Sequence, residues 1–355
     1  MRIRGLGKFR RGVRWVTSRF TPSGIVLIYH RVTKADSDLY ALRVRPEHFE
    51  EHLQVIRKLA NPVSLREMAR GLRDGKLSKR AVAVTFDDGY EDNLYCVKPL
   101  LEKYEIPATV FMTTGSIGRA REFWWDELER ILLRPNRLPQ TLQIESEGKR
   151  HAWDLGNSAN YTEQDRLCDV SWSMADPHGA GIPAFPTPRQ AAFHAIYMLL
   201  QPLTREGREH VLDQLLAQGQ LPQTVRPDYR ALGDEEVVKL GRGDLVEIGA
   251  HTVNHPALSR ETVDAQRREI RQSKHSLEER LGRPVKGFAY PYGLYSADSV
   301  DEVRGANFEY ACACDSQLVR SNSNPLLIPR VDVFDIDGER FSRQLQTCLK
   351  GRVPN

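Results

Sequence analysis

The residues of this chain best suited to chemistry stand at the ends of two apolar runs. Val82-Ala83-Val84-Thr85-Phe86 leads into Asp87-Asp88-Gly89-Tyr90, two adjacent carboxylates and a glycine. Strand alternation alone would send Asp87 and Asp88 to opposite faces, but Gly89 permits a turn that lets both serve one site. An Asp-Gly pair is also a common strand-end turn, so this motif gains meaning from a second one. That one is Glu247-Ile248-Gly249-Ala250 followed by His251-Thr252-Val253-Asn254-His255. Two histidines four apart are expected on one side of a helical turn, a common way to present nitrogen ligands to zinc. Two nitrogens and one carboxylate oxygen form a set with coordination positions left open, whereas a structural zinc site is closed by four protein ligands, usually including thiolates. The pattern predicts a catalytic metal centre.

Such residues need a scaffold, and short β-branched runs alternate with helical patterns as in a parallel sheet or α/β barrel. Strands are expected at Ile25 to Tyr29, Ala81 to Phe86, Ala108 to Met112, Val246 to Ala250, Gly287 to Tyr290, Tyr310 to Cys314 and Leu327 to Val333. Seven strands suggest a small barrel. Pro46 to Leu59 reads as a helix with proline in its first turn, and Ser64 with Glu67 has capping-box spacing. Further helices are expected at Glu91 to Tyr104, Val263 to Leu281, Ala297 to Arg304 and Arg340 to Lys350. From about residue 115 to 231 the rhythm breaks into a Pro-rich, Trp-bearing stretch, read as an insertion over one barrel face that holds helices at Phe123 to Leu133, Arg189 to Leu200 and Glu206 to Gln218 and an extended loop at Trp172 to Pro188. In its Phe123-Trp124-Trp125-Asp126 run, the helical spacing of Trp124, Leu128, Ile131 and Leu132 favours core packing over stacking on a ligand.

Thr85-Phe86-Asp87-Asp88-Gly89 and His251-Thr252-Val253-Asn254-His255 resemble the first two motifs of the polysaccharide deacetylase family, the NodB-homology group or carbohydrate esterase family four. The resemblance runs from about Ile25 to Val333 without the insertion. It implies a distorted (β/α) barrel, Asp87 as general base, and Asp88, His251 and His255 as ligands of a divalent ion, zinc by default with cobalt, nickel or manganese compatible. Tyr290-Pro291-Tyr292-Gly293 is similar to a third motif, which implies that the Tyr292 N–H helps form an oxyanion hole. Ala289 stands where the family usually has an arginine that orients the catalytic aspartate; Arg330, in Ile328-Pro329-Arg330-Val331, is a candidate to supply that guanidinium from the last strand. The family's C-terminal histidine is missing, since none follows His275. Ile28-Tyr29-His30 offers the same pattern on the first strand, adjacent to the last in a closed barrel. This resembles circularly permuted members that de-N-acetylate poly-glucosamine, and it assigns His30 as general acid. The family's Trp-bearing motif has no clear match.

The expected activity is therefore metal-dependent removal of an acetyl group from an N-acetylated sugar of a polysaccharide or lipid-linked precursor. The alternatives are a deformylase or amidase acting on another N-acyl amino sugar, and an inactive carbohydrate-binding member. The domain reading is a basic amphipathic segment over residues 1–23 followed by the barrel over 24–355. With 355 residues, 40% hydrophobic, and a net charge of +4, the chain can bury a sizeable core and shows no nucleic-acid motif. Residues 1–20 carry seven Lys or Arg and no acid among spaced apolar residues. They read equally as a helix lying on an anionic membrane face or as a frayed basic terminus. They lack the apolar run of a secretory signal, and the five scattered cysteines suit reduced thiols, so a cytoplasmic location is expected, with peripheral membrane contact.

Overall fold

The computed structural model describes residues 24–34, 38–165 and 185–353. The basic segment 1–23 lies outside the described residues, as does nearly all of the expected loop between Trp172 and Pro188. Seven parallel strands form the barrel: β1 (Ile25–Tyr29), β2 (Ala81–Phe86), β3 (Ala108–Met112), β4 (Val246–Ala250), β5 (Gly287–Ala289), β6 (Tyr310–Ser316) and β7 (Ile328–Asp332). Each pairs with the next in sequence, and β7 closes on β1 through Leu27 opposite Val331 and Ile28 opposite Asp332. Every residue of β1, β2 and β3 is buried. That explains why these strands read as unbroken apolar runs: a parallel sheet is covered on both faces.

One cluster fills the barrel interior, from Val26, Ala83, Phe111, Ala289, Cys312 and Ile328 to Leu65, Met68 and Leu72 of the helix Leu65–Arg73. The Ser64–Glu67 capping box forms and starts that helix. Around the strands, Pro46–Leu59, Val263–Leu281, Ala297–Gly305 and Gly338–Leu349 build the helical layer, and Gly282 ends the second of these in the left-handed conformation. None of the described helices is long and apolar enough to cross a membrane.

Two expectations change. Glu91 to Tyr104 is not one α-helix; Asn93–Val97 is a wide π turn and an α-helix follows at Lys98–Tyr104. Pro99 is the physical reason, since it has no N–H to continue the ladder at that point. The inserted stretch carries a β-hairpin that was not foreseen, Thr141–Ser146 with Lys149–Asp154. Its signal was present in the alternation of Leu142 and Ile144 and in Glu147-Gly148, both at positive φ. The hairpin and the helices Trp124–Leu133, Pro188–Leu200 and Arg205–Gly219 share a second hydrophobic core distinct from the barrel's.

His52 joins the helix Pro46–Leu59 to the C-terminal helix. Its Nε2 donates to the Ile336 carbonyl at 2.7 Å, Tyr29 Oη donates to its Nδ1 at 3.3 Å, and its ring stacks on Phe341 with centroids 4.1 Å apart. Burial lowers its pKa to about 4. The unfolded chain takes up this proton near pH 6.5 while the folded one does not, so stability falls as pH drops from about 6.5 to about 4, by up to about 1.4 kcal/mol per unit. Urea unfolding of His52→Gln at pH 7, 6 and 5 should show a shallower pH slope than wild type by about this amount. Parallel slopes would contradict it.

Candidate metal centre and active site

The sequence motifs meet at the C-terminal ends of the strands, where barrels of this kind collect their polar loops. After β2 the chain turns at once: Asp88 has φ 71° and Gly89 φ 84°. A Cβ at Gly89 would lie 2.4 Å from the Met112 side chain, so glycine is required there on two counts. After β4 the segment 251–256 is not helical, which corrects the expected helical turn. Thr252 (φ 64°) and His255 (φ 55°) both take the left-handed conformation, and these two reversals bring the imidazoles together. Strained backbone of this kind persists where the surroundings hold it. Here Glu269 Oε2 accepts the N–H groups of Val253 and Asn254, both at 2.8 Å, and Thr252 Oγ1 accepts the His255 N–H at 3.0 Å. Arg208, from the insertion, donates to the Asn254 carbonyl at 3.0 Å. Of these supports only Thr252 stands within the motifs; Glu269 and Arg208 lie outside them.

Asp88 Oδ1 lies 3.8 Å from His251 Nε2 and 3.5 Å from His255 Nε2. The three residues are the group among the described residues whose ligand atoms can hold a metal ion, all within 4.8 Å of one another. They fit such an ion on independent grounds. His251 Nδ1 donates to the Ala289 carbonyl at 2.8 Å, which fixes the tautomer and leaves the Nε2 lone pair facing Asp88. Asp88 Oδ1 is buried with no hydrogen-bond partner. Burial and the neighbouring Asp87 charge push the Asp88 carboxyl well above its ordinary range, while burial pushes His255 well below, with His251 adding to the effect. A cation between them reverses both penalties.

Beside this triad, Arg330 makes a two-pronged bond to Asp87, Nη1 to Oδ1 and Nη2 to Oδ2, each 2.7 Å. Arg330 is fully buried, its Nε donating to the Ala313 carbonyl at 3.0 Å. Ala289 contributes its carbonyl and no side-chain charge, so the guanidinium reaches Asp87 from β7. Burial alone would raise the Asp87 carboxyl, but Arg330, aided by His251, holds it well below the usual carboxylate range. Asp87 Oδ2 is 3.8 Å from His251 Nε2.

Asp87, Asp88, His251 and His255 line a cavity of about 460 Å³ with His30, Tyr292, Cys314, Asp332 and the insertion residues Trp125, His194, Tyr197 and Met198. The Tyr292 ring lies edge-on to His255, centroids 4.5 Å apart, and its backbone is left-handed at φ 57°. Burial, together with the charges of Arg330 and His251, lowers His30 to about 4 against the opposing pull of Asp87, so its resting ring is neutral near pH 7. Trp124, Leu128, Ile131 and Leu132 are in the second core; Trp125 belongs to it as well and also lines the cavity. Cys312 is a buried core residue; Cys314, two positions on, turns to the cavity and lies 3.4 Å from Arg330 Nη2.

Residues 74–174 and 205–311 match the family model described as polysaccharide deacetylase, and the chain belongs to that family. A poly-β-1,6-N-acetyl-D-glucosamine N-deacetylase of Staphylococcus aureus is 32% identical over 109 residues, 27% of this chain and 38% of that protein. The Bacillus subtilis protein YxkH is 30% identical over 119 residues, 33% of this chain and 41% of that one. The chain thus spans about two fifths of these curated relatives. Among solved structures, IcaB from Ammonifex degensii (TM-score 0.56, 17% identity, 92% of this chain and 97% of that one) shares the fold. So does the Streptococcus pyogenes deacetylase PplD (TM-score 0.54, 17% identity, 92% and 99%).

Proposed function

We propose that this chain is a divalent-metal-dependent hydrolase that removes the acetyl group from an N-acetylated sugar of a glycan or glycolipid. The observation that carries the reading is the adjacency of two arrangements in one cavity: an unsatisfied Asp88–His251–His255 face, and a carboxylate kept ionised by a buried arginine. Membership of a deacetylase family supports it.

A divalent ion, zinc by default, would be held by Asp88, His251 and His255 and supplies Lewis-acid polarisation of the carbonyl and a lowered water pKa. Asp87 accepts the proton of the attacking water, and Arg330 keeps its two oxygens oriented and charged. The Tyr292 N–H is proposed to donate to the oxyanion, where one preorganised donor contributes about 3 to 4 kcal/mol. The departing amine needs a proton, and neutral His30 has none to give at rest. The proton that Asp87 takes from water is the one His30 passes on, so water is divided between acetate and the amino sugar with protons balanced. His30→Ala should lower kcat by about 10² to 10⁴-fold at unchanged metal content; activity equal to wild type would remove His30 from the scheme.

The reading is tested by acetate release from N-acetylglucosamine oligomers and lipid-linked N-acetylhexosamines, using protein stripped by chelator and then reloaded with one equivalent of zinc. Release that disappears on stripping and returns on reloading supports it. Loss of a different acyl group, or metal-independent release, would replace it.

A further inference from the structure

The scheme above leaves unused a polar cluster on the insertion side of the cavity. Arg31, Tyr90, Asp92 and Asp126 are all buried, and burying such groups is tolerated only when each finds partners. Tyr90 Oη accepts the Trp125 indole N–H at 2.9 Å and donates to Asp126 Oδ2 at 2.6 Å. A hydroxyl has one hydrogen, so receiving from the indole and giving to the carboxylate sets the rotation of both rings. The Arg31 guanidinium lies over the Tyr90 ring at 4.5 Å, and its Nε donates to Asp92 at 3.3 Å. Asn93 continues the network, donating to Asp92 at 2.9 Å and to the His30 carbonyl at 3.0 Å.

Trp125 is where this network touches the site. Within Phe123-Trp124-Trp125 it is the residue that lines the cavity with Asp87 and Asp88. Its ring is stacked on Phe123 at 4.9 Å and lies 5.0 Å from the His255 ring. Tyr90 directly follows the Asp87-Asp88-Gly89 turn, so the hydroxyl that receives the indole is tethered to the backbone carrying both carboxylates.

We propose that Tyr90 is a positioning residue that, with Asp126, fixes Trp125 as a wall of the substrate cavity and so registers the inserted segment against the carboxylates of the barrel. The proposal rests on the deacetylase reading for its kinetic consequence but not for its geometry. A free indole would still close the cavity part of the time, so substrate binding suffers before chemistry does.

The test uses full-length, zinc-loaded protein and compares wild type, Tyr90→Phe, Trp125→Phe and the double variant for acetate release, metal content and intrinsic tryptophan emission. Tyr90→Phe should lose about tenfold in kcat/KM, mainly through KM, at unchanged metal content, in line with a buried hydrogen bond of about 1.4 kcal/mol. The double variant should be no worse than Trp125→Phe alone, because the hydroxyl acts only through the indole. Multiplying losses, or a wild-type KM in Tyr90→Phe, would overturn the proposal. If Tyr90→Phe fails to fold, Asp126→Asn, whose amide oxygen still accepts the hydroxyl, should raise KM by a smaller factor, and only while Trp125 is present. If no variant, wild type included, releases acetate, the deacetylase reading fails while the positioning stays testable. Tyr90→Phe should then shift tryptophan emission in the wild-type background but not in Trp125→Phe, and an equal shift in both overturns it.

Discussion

Asp87→Asn is expected to lower acetate release by about 10³-fold, within the range of about 10² to 10⁴ that a positioned general base supplies, while zinc stoichiometry stays at one per chain. The amide matches the carboxylate in shape, and the ligand set Asp88, His251 and His255 is untouched. The loss would therefore belong to the base itself. Because Arg330 holds this carboxyl well below its ordinary range, Asp87 is ionised across the neutral and mildly acidic region. The sign follows from linkage: a depressed folded pKa gives stability that is fully present above the unfolded value of about 3.9 and is lost only as pH falls towards the lower folded value. The base should thus contribute no acid limb to the rate between pH 5 and 8. Steady-state rates of wild type and Asp87→Asn over that range check both statements. An Asp87→Asn enzyme within a few-fold of wild type would move the base elsewhere.

Arg330→Met should be the most destabilising single change in the site, by about 3 to 5 kcal/mol, because it leaves the Asp87 charge buried without a partner. Activity should fall with it, since the guanidinium no longer favours the charged form of the carboxylate or holds its two oxygens in place. Arg330→Lys separates the two effects. It retains a charge but cannot form the two-pronged contact, so stability should recover in part while kcat remains depressed on the order of 10 to 100-fold. Asp87→Asn combined with Arg330→Met should be more stable than Arg330→Met alone and still inactive. Denaturant midpoints and kcat for wild type, Asp87→Asn, Arg330→Met, Arg330→Lys and the double variant decide it. Additive destabilisation in the double variant would mean that the pair is not coupled as its geometry implies.

Much of this site was legible in the sequence because its residues occupy strand ends, and strand ends converge when a parallel sheet closes. Asp87-Asp88-Gly89 and His251-x-x-x-His255 needed only the right strands around them. Arg330 was reachable by asking what could replace the cation missing at Ala289, and β7 brings its fork to within 2.7 Å of Asp87. What was not legible depends on backbone reversals and long-range packing. The histidine pair was expected on a helical turn and sits on a loop with two left-handed residues, a conformation that Thr252 and His255 adopt only because Glu269 and Arg208 hold the loop from elsewhere. The place of Trp125 at the cavity was equally hidden, since Trp124 and Trp125 are adjacent, both belong to the second core, and only the helix orientation decides which of them also reaches the cavity. The π turn at Asn93–Val97 has its signal in Pro99, which interrupts an otherwise regular helical pattern.

In the proposed reaction, water activated at this centre cleaves an N-acetyl amide. The most direct test is a single-substrate turnover of an N-acetylglucosamine oligomer in ¹⁸O-labelled water with the zinc-loaded enzyme, reading both products by mass. One labelled oxygen in acetate for each new free amine on the sugar, absent from stripped protein and restored by zinc, is the predicted result. Intact N-acetyl groups in the presence of stoichiometric bound zinc, or amine formation with unlabelled acetate, would contradict it.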